Sequence, residues 1–482
     1  MPDLTHAPLT RGRQRVVLAI CCMSLLIVSL DNTVLNVALP AMQRDLRASV
    51  SGLQWTIDAY TLVLASLLMF SGSTADRIGR RKVFVTGLVF FVLGSLLCSL
   101  APSLETLVVF RMIQAVGGSM LNPVAMSIIT NTFTEPAARA RAIGVWGGVV
   151  GVSMAAGPVV GGLLVDSVGW RAVFWINLPI GLAALLLTLR YVPESRAPKP
   201  RRPDPVGQLL VAALLGSLTY AIIESSLPFA GAALAALVAL LAYEPRRREP
   251  LIDLRFFRSA PFSGATIIAV CAFAALGGFL FLNTLYLQSV RGLSALDAGL
   301  YMLPMASMTL VFAPLSGRLV GSRGPRLPLL IAGTAMAAGC LPFAAFEAET
   351  SDPLLFAGYV VFGIGFGMVN APITNTAVSG MPLAQAGVAS AVASTSRQVG
   401  QTLGVAVVGT VLATGVATLS RTDDFVEASR AGYWIMTGCG FCVLLVGALT
   451  SGAWARGTAE RTARRLAAEG EQTPAGATSA TS

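Results

Sequence analysis

Charge is scarce in this chain. Only 12% of its 482 residues are Asp, Glu, Lys or Arg, about half the share of a soluble globular protein. There is one histidine, His6, in a polar amino-terminal stretch, which leaves no basis for histidine catalysis or a histidine metal site. The seven cysteines (Cys21, Cys22, Cys98, Cys271, Cys340, Cys439, Cys442) lie in or beside apolar runs without metal-ligand spacing and read as small core- or lipid-facing residues. No GxxxxGK followed by Ser or Thr occurs, so a phosphate loop for ATP is missing and no cofactor is expected. The run after Arg11, Arg13 and Arg15 continues for about 24 residues without a convincing cleavage site, so it is expected to stay as a first span.

What remains is apolar: 55% of residues are hydrophobic and the mean hydropathy is +0.72. Stretches of about 17 to 25 apolar residues, the length that crosses a bilayer as a helix, recur from end to end. They predict an all-α integral membrane protein of about fourteen helices between residues 16 and 455, with single spans at 172–191 and 297–317. A β-barrel is rejected because the runs lack period-two alternation. With the amino terminus inside, roughly 26 of the 34 Lys and Arg fall in inside segments and about 6 outside, so both termini are expected in the cytoplasm. "RRK" (80–82), "RAPKPRR" (196–202) and "EPRRREP" (244–250) mark that side, and the acidic "EAETSDP" (347–353) marks the other. This placement sets topology and meets lipid headgroups; it is not the clustered, aromatic-interleaved patch of a nucleic-acid binder. Arginine outnumbers lysine 32 to 2 and alanine is abundant, which suits a GC-rich bacterial genome.

An internal repeat organises the chain. "SGSTADRIGRR" (71–81) and "SGRLVGSRGPR" (316–326) share the same glycine spacing, Gly72 to Gly79 and Gly317 to Gly324, at corresponding hairpins. The expected division is a tail (1–15), a six-helix half (16–203), two inserted helices (204–250), a second six-helix half (251–456) and a polar tail (457–482) expected to be disordered. Parallel repeats place a binding site near the bilayer midplane between the halves.

Five ionisable residues fall inside spans: Asp31, Asp58, Arg111, Glu224 and Arg397. Each costs about 2.5 to 3.5 kcal/mol at a helix centre, so each needs a partner, a watery cavity or a place near the interface. Asp31 and Arg111 lie at matching depth, on the order of 11 Å below the outer surface, and are expected to meet if their helices share a cavity. Asp58 and Glu224 stand closer to the outer ends of their spans, where hydration is expected, and Asp58 is the next proton-carrying candidate. A carboxylate whose hydration and counter-charge alternate can bind and release a proton near physiological pH.

"LDNTVLNVALP" (30–40), "GSTADRIGRRK" (72–82), "RMIQAVGG" (111–118), "GPVVGG" (157–162) and "GWRAVFWINLPIG" (169–181), in order at the correct spans, resemble the fourteen-helix drug:proton antiporter family of the major facilitator superfamily. "GVASAVASTSRQVGQTLG" (387–404) extends the resemblance into the second half. It implies a membrane acid at Asp31 and a coupling arginine at Arg111. It also implies a cytoplasmic latch at Gly72, Asp76, Arg77, Gly79, Arg80 and Arg81. Physically, glycines permit the turn, and an anion beside a helix N-terminus is favoured by about 0.3 to 1 kcal/mol, weak enough to break in each cycle. The antiport motif falls on Gly157, Pro158, Gly161 and Gly162, where glycines allow close helix approach and the proline invites a kink. Two departures stand out: Ala115 replaces the usual glycine after Gln114, and Gly321 stands where Asp76 stands in the first repeat.

The resemblance implies proton-coupled export of small amphipathic compounds by alternating access, using the proton gradient and no obligate protein partner. Trp55, Tyr60, Asn36 and Tyr286 are candidate substrate-binding residues, with Met126, Trp146, Trp175 and Phe281 further aromatic and sulfur side chains for a permissive pocket. The alternatives are an uptake symporter on the same fold and, remotely, a polytopic membrane enzyme, since "DDFVE" (423–427) resembles an acidic metal site placed in an outer loop.

Overall fold

The computed structural model describes residues 10–197, 204–247, 250–345, 350–379, 386–415 and 422–471. Its regular structure there is helical. The first group comprises α1 (Arg11–Leu46), α2 (Val50–Ile78), α3 (Arg80–Ser99), α4 (Leu104–Thr132), α5 (Pro136–Ser167), α6 (Ala172–Trp175) and α7 (Asn177–Tyr191). Then come α8 (Pro205–Ile223) and α9 (Leu227–Tyr243). The second group comprises α10 (Ala260–Leu285), α11 (Ala295–Tyr301), α12 (Leu303–Arg323), α13 (Arg326–Cys340), α14 (Asp352–Val378), α15 (Ala386–Gly415) and α16 (Thr422–Thr450), followed by α17 (Ala453–Glu471). Among the described residues, thirteen helical segments are long and apolar enough to cross a membrane, and the 30-residue α15 packs with them against α2, α10 and α16. The protein is an all-α membrane bundle.

Local chemistry sets the helix ends. The Ser49 side chain accepts the Gly52 N–H at the start of α2, and Ser103 and Thr106 form a reciprocal capping box on α4. The second glycine of each repeat ends its helix at positive φ, +126° at Gly79 and +80° at Gly324, a region that side-chain-bearing residues avoid. The repeat in the sequence is thus a repeat of two turns.

Within the first group α1 packs on α5 and α7, and α4 on α2 and α3; within the second, α10 packs on α15 and α16, and α14 on α12 and α13. The groups meet where α2 lies along α15, α5 along α11 and α12, and α1 against α10. The α8–α9 hairpin sits outside, α8 on α2 and α15 and α9 on α8. The bundle has two ends. Arg13, Arg80, Tyr191 and Ser195 come together at one, called here the basic end. Asp45, Ala101 and Arg171 meet at the other, the far end.

The spans expected at 172–191 and 297–317 each stand as one candidate crossing, with a one-residue break inside: one at Ile176 lets Asn177 begin α7, and one at Met302 precedes Pro304. Two expectations change. The tail expected to be disordered from 457 is helical as far as Glu471, because Ala455, Ala459, Thr462 and Leu466 recur at helical spacing and are buried. "DDFVE" belongs to the first turns of α16 rather than a loop. No group of three potential metal-ligating side chains occurs among the described residues. Part of "EAETSDP" lies outside the described residues.

Candidate functional site

Asp31 and Arg111 meet inside the first group of helices. Arg111 Nη1 donates to Asp31 Oδ2 at 2.5 Å and to Gln114 Oε1 at 2.7 Å. Gln114 Nε2 donates to Asp31 Oδ1 at 2.9 Å, and Asn177 Nδ2 donates to the same oxygen at 2.7 Å. Ser95 accepts from both amides and donates onward to the Phe174 carbonyl. Arg111 Nε reaches the Thr56 carbonyl at 3.3 Å, and the guanidinium lies 4.1 Å over the Tyr60 ring. Arg111, Gln114, Asn177 and Ser95 are fully buried and Asp31 nearly so. Five helices, α1, α2, α3, α4 and α7, therefore close around one ion pair.

The spacing explains the assembly. Arg111 and Gln114 are three apart on α4 and share a face, and the break before α7 turns Asn177 inward at a helix start. The close approach of α3 to α4 depends on glycine: a methyl at Gly94 would overlap the Gln114 backbone, and one at Gly117 the backbone of Phe91. Asn177 and Ser95 were not singled out from the sequence. Their only signal was a lone polar residue inside an apolar span.

Asp58 is not hydrated as its position suggested. It is fully buried, and neither carboxylate oxygen has a hydrogen-bond partner. Its helix neighbours on the same face bond across to α15: Gln54 to the Val405 and Ala406 carbonyls, Thr61 to Thr402 at 2.7 Å. Asp58 therefore sits on the seam between the two groups. Glu224 is exposed and accepts from Trp55 Nε1 at 2.9 Å, while Trp55 also packs on Tyr220. Trp55 thus ties α2 to the inserted hairpin. Tyr60 is covered by Arg111, Asn36 is buried and donates to the Asn32 carbonyl, and Tyr286 is buried in the second group. Arg397 donates to Thr374 Oγ1 and lies 6.0 Å from the Phe273 ring.

The candidate latch residues adjoin α7. Asp76 pairs with Arg80 at 2.8 Å, and Arg80 N–H reaches the Ser195 carbonyl. The anion at the α3 N-terminus is Glu194, not Asp76: it accepts from Arg81 N–H at 3.1 Å, and a methyl at Gly79 would overlap its carboxylate. Arg81 also donates to the Leu189 carbonyl, Arg77 is exposed, and Gly72 packs loosely beside Pro123.

"GPVVGG" faces two partners. A methyl at Gly157 would overlap Thr33 and one at Gly161 would press on Val34, both in α1. A methyl at Gly162 would overlap the backbone of Ala295 and Leu296, and Gly299 lies against the Pro158 carbonyl. Asp166 accepts the N–H groups of Ala295 and Leu296, capping α11 from the other group. The α5 motif is a contact between the groups near the far end.

The Major Facilitator Superfamily model matches residues 21–405. The tetracenomycin C resistance and export protein of Streptomyces glaucescens is 37% identical over 439 residues, 88% of this chain and 81% of its own length. The multidrug resistance protein Stp of Mycobacterium tuberculosis is 36% identical over 400 residues, 81% of this chain and 74% of its own. A bacterial homologue of the human lysosomal transporter Spinster, solved in an inward-facing and unoccupied conformation, superposes with a TM-score of 0.62 at 18% identity over 95% of this chain and 98% of that one, which shows the fold. Family model, relatives and fold agree, and the chain belongs to the major facilitator superfamily, a family of membrane transporters and not of enzymes.

Proposed function

We propose that this chain exports small amphipathic drugs or antibiotics across the bacterial inner membrane in exchange for protons, by alternating access and with both termini in the cytoplasm. The observation that carries the reading is the buried Asp31 site, where one carboxylate is held by Arg111 and Gln114 of α4 and Asn177 of α7. Neutralising Asp31 with a proton removes the attraction that draws α1 onto α4 and α7. That neutralisation favours a different packing of the same helices, and the site becomes a coupling element. Export direction rests on the similarity to the tetracenomycin C resistance and export protein.

The remaining sites fit this cycle. The far end is closed by α5 against α11 and by Gln288 donating to the Val37 carbonyl across the groups. At the basic end, the contacts of the 76–81 turn among the described residues stay within the first group. This arrangement suits a state open at the basic end, with the Asp76 turn free to engage the second group when that end closes. Asp58 on the α2–α15 seam is the second proton site. No cofactor is required beyond the proton gradient.

Purified protein in proteoliposomes tests the reading: addition of drug should drive proton flux, and Asp31→Asn should abolish that flux while drug binding survives. Equal coupling in Asp31→Asn would make Asp31 a structural acid and move the carrier to Asp58. Uptake rather than export in everted vesicles would overturn the direction.

A further inference from the structure

At the basic end a cavity of about 110 Å³ opens between α17 and the start of α10, lined by Arg258, Thr458, Arg461, Thr462 and Arg465. That volume exceeds the share of a single water molecule, about 30 Å³. Among the described residues its chemistry is one-sided: three guanidinium groups, two hydroxyls and no carboxylate. Thr458, Arg461, Thr462 and Arg465 follow i, i+3, i+4, i+7 spacing and share one helix face, which sets Arg461 and Arg465 side by side with like charge. None of the three arginines makes an ion pair among the described residues. The cavity also adjoins a helix start, since the Ala260 N–H at the head of the 26-residue α10 donates to Thr458 Oγ1 at 2.9 Å. The positive end of that helix adds to the arginines.

We propose that this cavity binds the phosphate of an anionic phospholipid. Guanidinium groups match phosphate oxygens bidentately, and three of them around one small cavity suit a tetrahedral anion. The neighbours select a lipid over a free ion. Trp454, one turn before Thr458, is 68% exposed, and Phe257, next to Arg258, is 40% exposed. These apolar surfaces flank the cavity where α10, a membrane-crossing segment, begins. A headgroup phosphate held by the arginines would leave its acyl chains along them, as for basic amphipathic helices at a membrane surface. The site is remote in sequence and structure from the Asp31 network, and α17 becomes a lipid-anchored brace on the second group of helices.

The test uses the full chain in detergent, with lipid retention read by native mass spectrometry during titration with phosphatidylglycerol, phosphatidylcholine or inorganic phosphate. The parent should retain phosphatidylglycerol in preference to phosphatidylcholine. The triple variant Arg258→Gln, Arg461→Gln, Arg465→Gln should lose affinity on the order of a hundredfold, at about fivefold per arginine. The double variant Arg456→Gln, Arg464→Gln removes two charges from the same helix outside the cavity and should retain the lipid. The single variant Arg465→Gln, at an exposed position, should show a fivefold loss and serves if the triple does not insert. Equal retention by the cavity variants, or equal loss in the double variant, overturns the site. Displacement of the lipid by millimolar inorganic phosphate overturns the lipid assignment in favour of a free anion.

Discussion

The two groups of helices share a repeat and fill their centres with opposite chemistry. The first encloses an ion pair and its amides, Asp31, Arg111, Gln114, Asn177 and Ser95. The second encloses rings: Phe279 stacks on Phe362 at 4.2 Å, Phe343 stacks on Tyr433 at 5.2 Å, and Tyr359 donates to Asn283 at 2.9 Å. A buried ion pair depends on every partner being present, because a lone buried charge is costly; aromatic packing degrades gradually as contacts are removed. Under the proposed function the first centre would have two discrete states set by a proton, and the second one. The departure of the second loop repeat, with Gly321 where Asp76 stands, points the same way.

The contrast breaks most severely at Arg111. Arg111→Ala leaves Asp31 buried without its counter-charge, and removal of one partner of such a pair typically costs about 3 to 5 kcal/mol. Membrane abundance and thermal stability should both fall, and coupled transport should be lost. Asp31→Asn is the sharper probe: it keeps the hydrogen-bonding size, so the protein should insert while proton-coupled flux in proteoliposomes disappears. Loss of abundance in Arg111→Ala alone, with Asp31→Asn transporting normally, would show an ionic centre that serves only to hold the fold.

The join between the two groups is next. Gly162→Val adds bulk against the backbone of Ala295 and Leu296, where overpacking typically costs about 1 to 3 kcal/mol. Because the strain falls on one conformation, cysteine accessibility at the far end should rise and transport should slow, with insertion retained. Unchanged accessibility would reduce "GPVVGG" to ordinary packing. In the second group, Tyr359→Phe removes a single donor and leaves Asn283 Oδ1 buried without it, a loss of about 1 to 3 kcal/mol. Thermal stability should fall, yet the number of protons moved per drug should not. A changed stoichiometry would mean that the aromatic centre also takes part in coupling.

Much of this was legible in the sequence, for physical reasons that differ by region. Long apolar runs and their charged punctuation specify a membrane bundle, and two buried charges at matching depth specify their own pairing, because neither tolerates hydrocarbon alone. Asn177 and Ser95 were not legible, since uncharged polar residues carry little insertion penalty and so little signal. Asp58 was misread because depth along one helix says nothing of what lies across from it; its helix neighbours Gln54 and Thr61 bond to α15, more than 300 residues later. Helix α17 was missed because its mean composition is polar, and only the spacing of Ala455, Ala459, Thr462 and Leu466 reveals a docking face. Residue type alone made Trp55 and Tyr60 pocket candidates and did not reveal that their rings pack on Tyr220 and under Arg111.

The smallest expected effect on stability is at Asp76, and it sharpens the comparison because this acid has no counterpart in the second repeat. Its visible partner is Arg80, one helical turn away across the Gly79 bend, and the Asp76 carboxylate is about one-third exposed. Pairs of this kind contribute roughly 0 to 1 kcal/mol, so Asp76→Asn should insert normally and melt within a degree or two of the parent. The glycine turn and Glu194 keep the loop in place without it, through the Arg81 N–H. Transport should nevertheless slow if Asp76 is reused to close the basic end, since an interaction made in only one conformation changes the balance between states without much altering the fold. The paired measurement is melting temperature and drug efflux at equal membrane abundance. Slow efflux with an unchanged melt supports a latch that acts in the other state; normal efflux returns "GSTADRIGRRK" to a topology signal, and Glu194→Gln should then be the variant that loosens the turn.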